Sequence, residues 1–318
     1  MNRKYVTALL AIMLLITLII SVIFSYSYMK INRQITRIDV GTVEDTGRPE
    51  INQNSMNFLI LGTDARNSDP NISEWEERGQ RSDTIMIIQV EKISHKINVL
   101  EFQRDTWVDI PGYGKGKLNW AYSYGGMPLA IRTVENFSGI RIDHCAVANF
   151  NGFVKLTDAV GGVDMSTTTE GTKHYDGKSA LNFVRERYKL PNGNFDRTRR
   201  QMLWIQAIYQ TIQEQGILKN AAKINSFIDI LSESIVVDRN FEFSDVRQLM
   251  KSFYNMADDD LLFISMPNKG VGTEGDQSIV IADPEAMNQL ADAWRTDQVS
   301  QFVRDNPKIL TLDKGQVF

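Results

Sequence analysis

Thr84-Ile85-Met86-Ile87-Ile88-Gln89-Val90 and Ile97-Asn98-Val99-Leu100-Glu101-Phe102 are the two stretches that decide the fold. Both are short, rich in strand-forming residues and joined only by the polar link 91–96, so they read as an antiparallel hairpin. Phe58-Leu59-Ile60-Leu61 upstream is a third such run. If it also pairs antiparallel with the first strand of the hairpin, one strand start lies beside two strand ends. Asp64 and Arg66, Arg81 and Asp83, and Arg104 and Asp105 then converge on one rim of the sheet. Ordinary loop charge at strand ends is the competing explanation, and these strands alone do not choose between the two.

Outward from the hairpin, apolar periodicity predicts helices over 128–137, 151–159, 179–184, 197–213, 221–234, 244–256 and 284–295. Further strands fit 145–149 and 261–266. Strands interleaved with helices indicate an α/β protein: an α-β-α sandwich around a mixed central sheet. Composition does not shift after residue 57, so 57–318 is expected to be one domain.

The amino-terminal end is different. Lys4 and Lys30 bracket 25 uncharged residues, enough for a membrane-spanning helix, which needs about 20. Phe24, Tyr26 and Tyr28 stand where a cleaved signal peptide would need small residues. The expected organisation is a short cytoplasmic tail (1–4), a transmembrane anchor (5–29), a polar juxtamembrane stalk (30–56) and an extracellular domain. Positive charge flanks the span almost evenly, so the positive-inside rule sets the orientation weakly.

The whole chain of 318 residues carries a net charge of −4. Beyond residue 29 there are 33 cations against 39 anions, a net of −6. Such an acidic domain argues against nucleic acid as a partner. One cysteine, Cys145, excludes an intrachain disulfide framework, and core packing is its expected role. His95, His144 and His174 have no mutual spacing that suggests a metal site or a triad. Gly177-Lys178-Ser179 and the 112–117 glycine-lysine run resemble phosphate loops but lack the spacing, although Lys117 is a credible phosphate contact.

Against the acidic background, residues 181–201 hold Arg185, Arg187, Lys189, Arg197, Arg199 and Arg200 against Glu186 and Asp196, a net of +4. The planar guanidinium fork suits phosphate oxygens. Pro191 disfavours helix just before it, so Arg185 and Arg187 are expected on extended chain, sharing a face. Arg197, Arg200 and Gln201 fall on one helical face, with Asp196 a candidate cap. A solvated basic helix face is the plainer alternative. Arginines to hold phosphate, carboxylates to hold a bridging Mg²⁺, and no convincing protein nucleophile together suggest phosphoryl transfer to a hydroxyl.

At this point the chain resembles the LytR–CpsA–Psr family of cell-wall glycopolymer ligases. The matching segments are Asn57-Phe-Leu-Ile-Leu-Gly-Thr-Asp64-Ala-Arg66, Arg81-Ser-Asp83-Thr84, Arg104-Asp105-Thr106, Lys117-Leu-Asn119 and Gly161-Gly-Val-Asp164. The most specific is Val184-Arg185-Glu-Arg187 followed by Phe195-Asp-Arg197-Thr-Arg-Arg200-Gln201. The resemblance implies a single-pass membrane enzyme with its domain outside the cell. It would move an anionic glycopolymer (teichoic acid or capsular polysaccharide) from an undecaprenyl-pyrophosphate carrier to peptidoglycan. Asp64 and Asp83 would bind Mg²⁺ or Mn²⁺. Arg81, Arg104, Arg185, Arg187, Arg197 and Gln201 would surround the pyrophosphate, joined by Lys117 and Arg200. Asp64, Arg81, Asp83, Arg104 and Arg187 would be the catalytic set. The polyprenyl tail would lie in an apolar channel, with Phe150, Phe153 and Trp204 as candidate lining. A non-catalytic polyprenyl-phosphate sensor would use the same arginines, but would gain nothing from the carboxylates. Three positions depart from the family's common pattern: Gln103 where proline is usual, Asn194 where aspartate is, and Met202 where a second glutamine is.

Overall fold

The computed structural model describes residues 36–38, 46–63, 82–309, 312 and 317. The expected tail and anchor lie outside these residues, as do Asp64, Arg66 and Arg81. Among the described residues no helix is long and apolar enough to cross a membrane.

The chain begins with strands β1 (Thr36–Ile38), β2 (Ser55–Thr63), β3 (Ser82–Glu91) and β4 (Ile97–Phe102). A small hairpin of β5 (Trp107–Ile110) and β6 (Gly114–Lys117) leads into helix α1 (Trp120–Ser138) and strand β7 (His144–Asn149). Helix α2 (Phe150–Ala159), the hairpin of β8 (Val163–Thr167) and β9 (Gly171–Tyr175), and helices α3 (Gly177–Arg185), α4 (Asn194–Glu214) and α5 (Ala221–Ser234) follow. Then come β10 (Ile235–Asp238), α6 (Phe243–Asn255) and β11 (Leu261–Ser265). A third hairpin of β12 (Asn268–Glu274) and β13 (Gln277–Ala282) precedes α7 (Pro284–Arg295) and α8 (Val299–Asp305).

The central sheet runs β1-β10-β7-β2-β3-β4-β11. Strand β3 is antiparallel to both β2 and β4, whereas β2–β7 and β4–β11 are parallel, so the sheet is mixed. Its strands read as unbroken apolar runs because both faces are covered. Leu59, Leu61, Ile85, Ile87, Leu100 and Phe102 pack on one side against Val134 of α1 and Leu290 and Trp294 of α7. Phe58, Met86, Val90, Ile97 and Val99 face the other way, onto Met202 and Tyr209 of α4. A smaller core joins Val160, Met165, Phe183, Val184 and Ile208 beneath the β8–β9 hairpin. The expected sandwich is thus the observed one.

Differences from expectation trace to glycine and to short polar strands. The helix predicted from Pro128 is the second half of α1. Gly126, at φ +59°, breaks the ladder, and Pro128 opens the next segment, where a missing N–H costs nothing. The three hairpins are too short and polar for periodicity to reveal. Their turns use glycines at positive φ, such as Gly112 (+81°) and Gly171 (+68°). The 112–117 run is therefore a hairpin turn and its return strand. Gly177-Lys178-Ser179 is the first turn of α3, capped by Asp176, which accepts the Ser179 N–H at 2.8 Å. Parts of the expected stalk belong to the domain: β1 pairs with β10, and Arg48 makes a two-pronged pair with buried Glu135 at 2.7 and 2.8 Å. Cys145 is buried in β7, where burial pushes its thiol up and leaves it a core residue.

Candidate active site

The register of the hairpin makes the rim. Ile85 pairs with Phe102 and Thr63 with Ser82, so the start of β3 lies between the ends of β2 and β4. Asp83 and Arg104, two residues outside that pairing on either strand, meet directly as an ion pair. The Arg104 Nε also lies 3.5 Å from Asp105. Asp105 in turn takes Lys117 Nζ at 3.3 Å, from the end of β6, and Asn194 Nδ2 at 3.1 Å, from the first turn of α4. Asn194, one of the departures from the family pattern, therefore still works as a hydrogen-bond donor in the site.

Helix α4 supplies the other wall. Arg197 donates to the Asp83 carbonyl at 3.4 Å, and Gln201, one turn on, accepts from the Thr84 hydroxyl at 3.1 Å. Their four-residue spacing puts both on the stripe facing the rim. Gly62 allows this approach: a Cβ there would lie 2.9 Å from that of Thr84. Asp196 does not act as the helix cap. It is fully buried in the first turn and grips the preceding loop through the Asn192 backbone N–H at 2.8 Å, while also pairing with Arg199.

Positive charge is crowded at the rim. Arg197 is only 7% exposed. Burial presses its guanidinium below the ordinary arginine value, and the charges of Arg104 and Arg187 press further, against the pull of Asp83 and Asp105. The Nε atoms of both Arg104 and Arg197 are buried without a hydrogen-bond partner. Crowded like charges with donors to spare are costly in a folded protein, and a bound anion would relieve both costs.

The structure brings Asp83, Arg104, Lys117, Arg197 and Gln201 together, with Arg187 near enough to act on Arg197 through its charge. It sends two others elsewhere. Arg185 ends α3 and lies over the Phe150 ring, 4.3 Å from its centroid. Arg187 lies beyond the helix end and stacks on Tyr188, so the two arginines do not share an extended face. The helix stops there because the Glu186 carboxylate takes the next backbone N–H groups, at 2.8 Å from Arg187 and Tyr188. Arg200 packs on the Phe183 ring at 4.1 Å and donates to the Phe183 carbonyl. It borders a recess of about 500 Å³ between the β8–β9 hairpin and α3. Phe153 and Trp204 stack at 4.1 Å, half-buried, between α2 and α4. Asp64 and Arg81 lie outside the described residues. The residue that the candidate set omitted is Asp105. Its position beside Arg104 was visible, but its role as the hub for Lys117 and Asn194 depends on contacts far along the chain.

The profile of the LytR–CpsA–Psr family matches residues 24–295. The chain belongs to this family. Among relatives of this LytR–CpsA–Psr protein, the polyisoprenyl-teichoic acid–peptidoglycan teichoic acid transferase TagU of Enterococcus faecalis is 31% identical over 269 residues, covering 78% of this chain and 85% of that one. The cell wall biosynthesis protein LcpA of Corynebacterium glutamicum is 25% identical, and the match spans 72% of this chain but 53% of LcpA. Among solved structures, TagT bound to LI-WTA superposes with a TM-score of 0.63 at 19% identity, over 82% of this chain and all of that one. Protein gbs0355 of Streptococcus agalactiae superposes with a TM-score of 0.65 at 20% identity, over 77% of this chain and 88% of that one. At such identities these two superpositions establish the fold.

Proposed function

We propose that this protein is a membrane-anchored phosphotransferase that moves an anionic glycopolymer from an undecaprenyl-pyrophosphate carrier to peptidoglycan. The observation that carries the reading is the rim itself: half-buried Arg104 and buried Arg197, each with an Nε that makes no hydrogen bond, set against Asp83. The names of its transferase relatives support the same class of reaction.

In this reading a peptidoglycan hydroxyl oxygen bonds to the sugar-bearing phosphorus of the carrier pyrophosphate. The bond from that phosphorus to the bridging oxygen breaks, the polyprenyl phosphate leaves, and a phosphodiester remains. The hydroxyl proton ends on the departing polyprenyl phosphate or in water. Arg104 and Arg197 hold the equatorial oxygens, where charge accumulates, and Arg187 and Lys117 add to the positive field. Gln201, fixed by Thr84, orients an oxygen. The polyprenyl chain runs along the half-buried aromatic surface of Phe153 and Trp204.

Asp83 is a hard oxygen donor, still 33% exposed, which suits a divalent cation such as Mg²⁺ or Mn²⁺. Among the described residues no group of three or more histidine, cysteine or acidic side chains surrounds it, so Asp64 is the expected second ligand. The metal, when bound, would neutralise pyrophosphate charge. Anchoring by residues 5–29 would place the domain on the outer face of the cell membrane, within reach of both substrates.

The test is incubation of the purified protein with a lipid-pyrophosphate-linked oligosaccharide, peptidoglycan fragments and Mg²⁺, reading the phosphodiester product. Transfer that Asp83→Asn uncouples from Mg²⁺ supports the whole reading. Tight donor binding with no product under any divalent ion would identify a sensor instead.

A further inference from the structure

Beneath the rim, within charge range of Arg197, lies a buried carboxyl group that the proposed reaction does not use. Strand β4 alternates, and Ile97, Val99 and Glu101 share the face that packs on α4. The first two are core residues. Glu101 continues their stripe at 3% exposure, where an apolar side chain would be expected. Its carboxyl group is held from two elements. Thr198, the residue after Arg197 in α4, donates to it at 3.2 Å, and Gln103 of the same strand end donates at 3.3 Å. Gln103 also reaches the Thr198 hydroxyl at 3.4 Å. The glutamine that departs from the family pattern is thus one of the groups that hold this glutamate.

We propose that Glu101 is a positioning residue for Arg197, tying the first turn of α4 to β4 and coupling the anion affinity of that arginine to the protonation of a buried acid. The inference rests on the phosphate-binding reading of the rim. Its physical basis is a choice between two counter-ions. When Glu101 is neutral, Arg197 faces only the rim and is available to a phosphate. When Glu101 is ionised, a buried negative charge lies near Arg197, attracts the guanidinium and repels the incoming anion. The charged group that faces Glu101 is Arg197. The flanking strands place Met86 of β3 and Ser265 of β11 opposite it, neither of which adds a charge. Burial pushes the Glu101 carboxyl up to about 8, with Thr198, Arg197 and Gln103 pulling it partly back, so the change falls in an accessible pH range.

The experiment uses the full chain in detergent, with farnesyl pyrophosphate and Mg²⁺ as the probe, titrated from pH 6.5 to 9.5. Wild type is expected to lose affinity severalfold as the pH rises through about 8. Glu101→Gln copies the neutral acid in shape, so its affinity should match wild type at pH 6.5 and show no such loss above 8. Thr198→Val removes a bond that favours the ionised acid while keeping the side-chain shape, so the loss should move to higher pH. Parallel curves for wild type and Glu101→Gln would overturn the coupling and leave the phosphate site intact. Absence of pyrophosphate binding by wild type at every pH would overturn the phosphate reading, and this inference with it.

Discussion

The β3–β4 hairpin carries a buried polar network at each end, and the two are built on opposite principles. At the turn end, Glu91 is 4% exposed and receives Ser94 and Asn98. Asn98 also donates to Gln89 at 2.9 Å, and Gln89 donates to the Trp294 carbonyl at 2.8 Å. Neutral donors meet acceptors throughout, and the Asn98 carbonyl is the atom left over. At the rim end, the charges of Arg104 and Arg187 press on Arg197, and two buried guanidinium Nε atoms make no hydrogen bond. One network joins β3, β4 and α7 and spends its hydrogen bonds on stability. The other leaves two guanidinium donors without a hydrogen bond, which on the proposed reading a ligand would take. The difference teaches how to tell a structural polar cluster from a binding one within the same sheet: count what is unpaired and ask what chemistry would pair it.

Mutations at the two ends should therefore have opposite signatures. The largest effect expected is from Arg197→Ala, which removes a charge-assisted contact to the substrate. At roughly 1.5–3 kcal/mol per such contact, transfer should fall by about 10–150-fold. The melting temperature should hold or rise, because a buried, crowded charge has been removed. Equal transfer by purified Arg197→Ala protein would end the assignment of the rim as the reactive site.

Next in size is the stability effect of Glu101→Gln, which carries a definite sign. The folded state holds a proton on Glu101 up to about pH 8, while the unfolded chain releases it in the ordinary carboxylate range. Wild-type stability should therefore decline as pH rises from that range to about 8, and level off above it. Glu101→Gln should lack this decline and be the more stable protein at pH 8 and above. Denaturant melts across pH measure it, and the same slope in both proteins would refute it.

At the turn end, Asn98→Ala should cost about 2 kcal/mol of stability by leaving the Gln89 and Glu91 oxygens short of a donor. Transfer per folded molecule should be unchanged. A loss of specific activity there would erase the contrast between the ends. The smallest effect is expected from Lys117→Ala, whose ammonium reaches the site through Asp105 at 3.3 Å. A drop in donor affinity of less than tenfold, about 1 kcal/mol, separates this supporting contact from the arginines.

Much of the rim was legible from strand order alone. Two antiparallel pairings place residues flanking one strand start beside residues flanking two strand ends, and this required nothing but apolar runs and a short link. The arginines of 181–201 were harder to place. Their charge and type were plain, but the cluster in sequence was dispersed in space. Arg197 turned to the rim, Arg185 to Phe150 and Arg200 to Phe183. Which way each turned depended on where aromatic rings and the Glu186-capped helix end came to lie. The hairpins escaped for a related reason, since strands of four to seven residues broken by glycine turns leave little period to read.

Local pattern by itself determined the long central strands, most of the helices, the mixed sheet and the family. An apolar alternation commits a strand to its faces, and a motif fixes residue types at fixed spacing, whatever the rest of the chain does. Tertiary structure alone decided that Glu101 lies near Arg197, that Gln103 holds it, and that the Nε atoms of two guanidiniums are buried without a hydrogen bond. Those facts depend on how far α4 settles onto β4. Burial and the loss of water, which no local spacing encodes, convert an ordinary glutamate and ordinary arginines into groups of unusual charge and reach.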